Sequence, residues 1–217
     1  MIDLHTHTFF SDGELVPAEH LRRVEVMGYQ AVAITDHADT SNMDFIIPRI
    51  VRAAVDLNRH SRTVLIPGIE LTHVPPEMFA ELSVKARELG ARIVVAHGET
   101  VMEPVRPGTN RAAIEAGVDI LSHPGFITEE EVKLAIAHGV MLEITGRKGH
   151  SLTNGHVAAL AVKHGAKMAV NADAHGPGDF LSARMAEIVA LGAGLSREHY
   201  AQIRKDMAEL AKEAGRY

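Results

Sequence analysis

The 217-residue sequence contains no cysteine, no tryptophan and only three tyrosines. Without thiols there can be neither a disulfide framework nor a thiolate metal site, so any bound metal must be held by imidazole and carboxylate. That composition suits a cytoplasmic protein. No apolar run approaches the ~18 residues that a membrane span requires. The N-terminus opens on a strand-like segment rather than a basic stretch followed by an apolar one, so neither secretion nor membrane insertion is expected. Basic residues are also in deficit: 22 Lys and Arg stand against 28 Asp and Glu, a formal charge of −6. A nucleic-acid-binding surface normally has the opposite balance, which makes nucleic acid a poor first choice of partner. Histidine is plentiful, with 14 residues, and its positions carry the argument.

At this length, with 46% hydrophobic residues, the chain can build one substantial core, and a single domain over residues 1–217 is expected. The sequence sets no oligomeric state. Short apolar, β-branched runs alternate with longer amphipathic stretches, the pattern of βα units around a parallel sheet. The predicted strands are Ile2–Thr8, Ala31–His37, Thr63–Leu71, Arg92–Gly98, Asp119–His123, Val140–Gly146 and Lys167–His175. Helices are predicted over Pro17–Gly28, Met43–His60, Pro75–Gly90, Asn110–Gly117, Thr128–Gly139, Gly155–Gly165, Leu181–Gly194 and Ser196–Tyr217. Thr128 with Glu131 three residues on forms a capping box. The regular spacing favours a closed α/β barrel, with an open doubly wound sheet as the alternative.

Functional groups in such folds gather at the carboxyl ends of the strands. Here those ends carry His5 and His7, His37, Glu70, His97, His123, and Asp173 with His175. Residues two apart on a strand point the same way, so each pair can offer two ligands to one volume. Asp12 follows in the first βα loop, where Ser11-Asp12-Gly13 can turn a carboxylate back over the strand end. These six imidazoles and three carboxylates exceed the needs of one ion and would serve ~3 divalent ions, with a carboxylate bridging. Without counterions, so many ionisable groups brought together would be strongly unfavourable.

The ordered set Asp3-Leu4-His5-Thr6-His7, Ser11-Asp12-Gly13, Thr35-Asp36-His37, Gly68-Ile69-Glu70, Ala96-His97-Gly98, Ser122-His123-Pro124 and Asp173-Ala174-His175 resembles the polymerase and histidinol phosphatase (PHP) family, over nearly the whole chain. The resemblance implies a distorted (β/α)7 TIM-like barrel with a trinuclear zinc, manganese or iron site. It places His5, His7, Glu70 and Asp173 on one ion, with Glu70 bridging to a second held by His97 and His123. Asp12, His37 and His175 then hold the third. The implied activity is hydrolysis of a small-molecule phosphate ester, histidinol phosphate being one candidate, through a hydroxide bridging the metals. Catalysis is expected to depend on His123, Asp173 and a phosphate clamp, Arg147, in the loop Gly146-Arg147-Lys148-Gly149-His150. The competing readings are a metal-dependent amidohydrolase and a non-catalytic, metal-stabilised module.

Other residues receive lesser roles. Strand alternation turns Glu143 and Asn171 inward, Glu143 as a partner of the ligands rather than a ligand. Asp36 and His73 either orient ligands or meet substrate. The loop Glu99–Thr109, with Glu103 and Arg106, is long enough to cover the pocket, and His150 and His156 are candidates to protonate a leaving group. Histidines 20, 60, 138, 164 and 199 are read as surface or helix-end residues.

Overall fold

Runs such as Ala31-Val32-Ala33-Ile34 and Ile93-Val94-Val95-Ala96-His97 are apolar without alternation, because a parallel sheet ringed by helices is covered on both faces. In a computed structural model, which describes residues 1–215, such runs become strands buried throughout. The strands are β1 (Ile2–Asp3), β2 (Ala31–Ile34), β3 (His37–Ala38), β4 (Val64–Leu71), β5 (Ile93–His97), β6 (Ile120–Ser122), β7 (Met141–Thr145) and β8 (Met168–Asn171). All pair in parallel, in the order β1-β2-β4-β5-β6-β7-β8, with β3 also against β4. The sheet curls nearly shut into an α/β TIM-like barrel, as expected, and the open-sheet alternative falls.

The intervening helices are α1 (Pro17–Val26), α2 (Met43–Leu57), α3 (Phe79–Glu88), α4 (Thr109–Glu115), α5 (Glu129–His138), α6 (Asn154–His164), α7 (Ala183–Gly192) and α8 (Arg197–Ala214). The predicted capping box is present: Thr128 Oγ1 accepts from Glu131 N at 3.2 Å, and Glu131 Oε2 accepts from Thr128 N at 2.9 Å. Arg216 and Tyr217, the end of the predicted last helix, lie outside the described residues.

All seven predicted strands are shorter than their sequence patterns, four by one residue at one or both ends and three by more. The run Ile2–Thr8 gives only two ladder residues, then pairs through an isolated bridge between Thr6 and Ala174, beyond the end of β8. The run Ala31–His37 splits into β2 and β3, and across the gap the Thr35 N–H turns to Thr6 O at 2.8 Å. Register with β4 is kept, Ile34 opposite Pro67 and His37 opposite Glu70. The run Lys167–His175 stops as a strand at Asn171, and Asp173 takes a left-handed conformation with φ 52°.

The seam between β1 and β8 is built differently from the rest of the sheet. Near the carboxyl ends, Asp173 N donates to His5 O at 3.0 Å and His7 N to Ala174 O at 2.8 Å. Deeper in, side chains replace the ladder: Asn171 Oδ1 accepts from Leu4 N at 2.9 Å, and Asp3 Oδ2 from Ala172 N at 3.1 Å. Buried backbone N–H groups need partners, and Val170 N finds Met207 Sδ on α8 at 3.4 Å.

Candidate metal centre

The seam brings the two ends of the chain together at the carboxyl face of the barrel. His5 Nε2 and His7 Nε2 lie 3.1 Å apart, so this pair converges, although both residues follow the end of β1. Asp173 and His175 also meet, with Asp173 Oδ1 3.5 Å from His175 Nδ1. The cause is a turn rather than strand alternation, since Asp173 lies beyond β8 with positive φ. His123 shares that conformation at φ 25° and His73 at φ 53°, and no other non-glycine residue among those described has it. Such backbone is disfavoured by roughly 1–3 kcal/mol and persists where the surroundings over-determine it, commonly at functional sites.

Glu70 sits at the centre, fully buried. Its Oε1 lies 3.3 Å from His5 Nε2, 3.4 Å from His97 Nδ1 and 3.8 Å from His123 Nε2. Its Oε2 faces His37 Nδ1 at 2.6 Å and His7 Nε2 at 3.8 Å. Asp173 lies 3.2 Å from His7 Nε2 and 3.6 Å from His123 Nε2. Asp12 completes the outer part, 3.2 Å from His175 Nε2 and 3.5 Å from His37 Nε2. All nine residues singled out by sequence therefore meet in one cluster.

Donors bound to one tetrahedral divalent ion with bonds of about 2.1 Å stand roughly 3.4 Å apart, and most of these separations lie close to that. Four compact donor groups involve the nine: His5, His7 and Glu70; His5, His123 and Asp173; His37, Glu70 and His97; and His7, Asp12, His37 and His175. A fifth adds new residues, His73 and Glu103, to His97. The buried atoms His7 Nδ1, His123 Nδ1, both nitrogens of His97 and Asp173 Oδ1 have no hydrogen bond. Orphaned polar atoms of this kind are costly, and an all-nitrogen-and-oxygen donor set with such vacancies fits divalent cations.

Electrostatics carry the same imprint. Burial raises the Asp173 carboxyl to about 7, His5 opposing and Glu70 reinforcing the shift. Burial would also raise Glu70, but the neighbouring His5 and His37 override it and hold that carboxyl well below its usual range. Burial, with His37 and His5 nearby, pushes His7 well down. Glu70 is thus held charged while Asp173 is poised between its two forms near neutrality, the frustration that added positive charge relieves.

Partners around the cluster fix its members. His5 Nδ1 donates to Glu143 Oε1 at 2.8 Å, and Glu143 also accepts from Asn171 Nδ2 at 2.9 Å and His123 N at 3.1 Å. His175 Nδ1 donates to Asp173 O at 3.0 Å, which leaves Nε2 for Asp12. Ser122, not singled out in the sequence, donates to Glu70 Oε1 at 2.9 Å. Asp36 pins the first βα loop, accepting from Thr8 N at 2.7 Å, Thr8 Oγ1 at 2.6 Å and Ser11 Oγ at 2.7 Å. The next loops are locked by close packing: a Cβ on Gly125, whose φ is +63°, would stand 1.9 Å from Glu99 O.

The candidate substrate residues divide. Arg147 lies at the rim, its Nη1 3.4 Å from Asp173 O and 3.5 Å from Asp179 Oδ2, beside a cavity of about 530 Å³ lined by Lys148, Gly178 and Leu181 among others. His156 donates to Ile127 O at 2.7 Å and is occupied in structure. Arg106 pairs outward with Glu77 at 3.1 Å. Glu103, by contrast, reaches inward to His97, as no sequence signal inside its loop indicated. His20 overturns its reading as a surface residue: it is 1% exposed, its Nε2 3.0 Å from Thr6 Oγ1 and its ring edge-on to Phe180.

The model of the PHP domain matches residues 3–152. The chain belongs to the PHP domain family. The matched stretch of this PHP protein ends before Asp173 and His175, which the barrel seam returns to His5 and His7. An uncharacterized protein of Methanocaldococcus jannaschii is 48% identical over 198 residues, covering 90% of this chain and 91% of that one. The 5'-3' exoribonuclease Rnm of Salmonella typhimurium is 39% identical over 72 residues, 33% of this chain and 22% of that protein. Among solved structures, a chain of archaeal ribonuclease P with mature tRNA superposes with TM-score 0.72 at 16% identity, over 98% of this chain and 90% of that one. A candidate histidinol phosphatase of Listeria monocytogenes gives 0.57 at 12% identity, over 83% and 97%. At those identities the two structures share the fold with this PHP domain. No helix among the described residues is long and apolar enough to cross a membrane.

Proposed function

We propose that this PHP protein is a metal-dependent phosphoesterase acting on a small-molecule phosphate ester. The supporting observation is the position of Glu70, whose two oxygens face different sets of imidazoles within 3.8 Å. His5, His7, Asp12, His37, Glu70, His97, His123, Asp173 and His175 would hold about three divalent ions, zinc, manganese or iron, with Glu70 shared between two. When bound, such ions supply Lewis-acid charge and acidify water at neutral pH. The protein's own groups do the rest. Glu143 keeps His5 in the tautomer that turns Nε2 to the cluster. Arg147, at the rim beside Asp173, offers a planar cation to phosphoryl oxygens. His150, with its ring 4.5 Å from that of His123, is the candidate to protonate a leaving alkoxide.

The test couples elemental analysis of the purified protein to turnover of phosphomonoesters, phosphodiesters, short RNA and amides. Metal-dependent release of phosphate from small monoesters is expected. Cleavage of RNA alone would move the substrate class towards that of the exoribonuclease relative. Amide turnover alone would assign amidohydrolase chemistry, and bound metal without any turnover would leave a metal-stabilised module.

A further inference from the structure

Beyond the cluster, three imidazoles converge on one side chain of the loop between β5 and α4. Glu103 Oε2 lies 2.9 Å from His73 Nε2 and 3.2 Å from His97 Nε2, and its Oε1 lies 3.4 Å from His150 Nε2. The imidazoles come from separate segments: His73 follows β4, His97 ends β5 and His150 follows β7. Their opposite edges are committed elsewhere. His97 turns Nδ1 to Glu70, and His150 Nδ1 sits 2.8 Å from Thr100 Oγ1. A ring whose Nδ1 accepts or ligates carries its proton on Nε2. Three Nε2 edges thus converge on one volume and a carboxylate fills it, hydrogen-bonded to His73 and within 3.4 Å of the other two.

The holder of that carboxylate is only lightly built in. Glu103 is 38% exposed at its side chain, flanked by the exposed Val101, Met102 and Pro104, whereas His97 is 3% exposed and His150 9%. The loop's base is anchored separately, through Glu99 Oε1, which accepts from Gly108 N at 2.9 Å and Asn110 N at 3.0 Å. The cradle therefore joins two buried imidazoles, His97 and His150, to the 41% exposed His73 at its outer side, and its present occupant is borne on a projecting turn.

We infer that His73, His97 and His150 form an oxyanion subsite at the mouth of the metal centre, and that Glu103 is a tethered plug which a phosphoryl or carboxylate group of the substrate displaces. The assignment of His97 Nδ1 inward rests on the proposed metal site; the convergence of the three Nε2 atoms does not. Carboxylate and phosphate make equivalent charge-assisted hydrogen bonds with such donors. A plug that must leave first lowers apparent affinity by the fraction of time the cradle stands open.

The experiment is calorimetric binding of inorganic phosphate to the protein as purified, with metal content measured for each variant. Compared are wild type, Glu103→Gln, His73→Ala and the double variant; His73 and Glu103 are both partly exposed, which spares the fold. Glu103→Gln should bind phosphate about tenfold more tightly, equivalent to ~1.4 kcal/mol, and His73→Ala should abolish that gain. A gain that persists undiminished in the double variant would reduce Glu103 to a general repulsive charge and overturn the cradle. Unchanged or weaker binding in Glu103→Gln would also overturn it. A lower metal content in Glu103→Gln than in wild type would make Glu103 a metal ligand and replace the plug. Failure of the phosphoesterase reading shows instead in wild type, as absent metal or turnover, and leaves the contrast among variants measurable.

Discussion

His5 Nδ1 donates to Glu143 Oε1 at 2.8 Å in the interior of the barrel, where neither side chain is exposed. The bond decides which edge of the His5 ring faces Glu70 and Asp173. A carboxylate behind a metal-binding imidazole also raises its basicity.

Glu143→Gln keeps an acceptor near His5 and removes the charge. Metal affinity should fall ~10- to 100-fold while the barrel folds, read by competition with a coloured chelator and by circular dichroism. Affinity within twofold of wild type would make Glu143 a packing group.

Asp173→Ala and His123→Ala each remove a donor from the same compact group with His5. Both variants should lose at least one equivalent of metal by elemental analysis and their phosphate-releasing turnover. Full turnover in a metal-depleted variant would contradict the proposed chemistry.

Arg147 makes long contacts at the rim, 3.4 and 3.5 Å, so its removal should leave the fold and metal content intact. Arg147→Ala should raise KM for a phosphomonoester about tenfold or more, in line with losing a charge-assisted hydrogen bond. An unchanged KM and kcat would assign Arg147 to the solvated loop.

His20 gives a pH dependence of stability separate from the cluster. Burial lowers its pKa from 6.5 to about 4, so the native state holds it neutral while the unfolded chain binds a proton below 6.5. The stabilisation is complete above pH 6.5 and declines as pH falls towards 4, by on the order of 3 kcal/mol. In urea titrations, His20→Gln, whose amide can still donate to Thr6 Oγ1, should flatten the slope over that window. An equally steep slope in the variant would place its origin elsewhere.

The alternation of apolar runs and helices made the barrel legible, because burial on both faces of a parallel sheet leaves continuous Val, Ile and Ala stretches. The nine candidate ligands were legible for a related reason: their residue types are otherwise rare at successive strand ends. Three features could not be read. The positive φ of His123 and Asp173 is imposed by tertiary packing, since neither sequence position is a glycine. Glu103 is one acid in a loop with no periodicity, and only the fold shows that it points at His97 rather than outward as Arg106 does. His20 sits on an amphipathic helix whose charged neighbours Glu19, Arg22 and Arg23 disguise its burial.

The sheet closes with its first and last strands joined by few backbone bonds and by the side chains of Asp3 and Asn171. His5 and His7 stand on one lip of that join, Asp173 and His175 on the other. Cations gripped from both lips would act as rivets between the beginning and the end of the polypeptide. Chelation should therefore loosen this edge before any other, with amide exchange quickening at His7 and Asp173 while the interior of β4 and β5 stays protected.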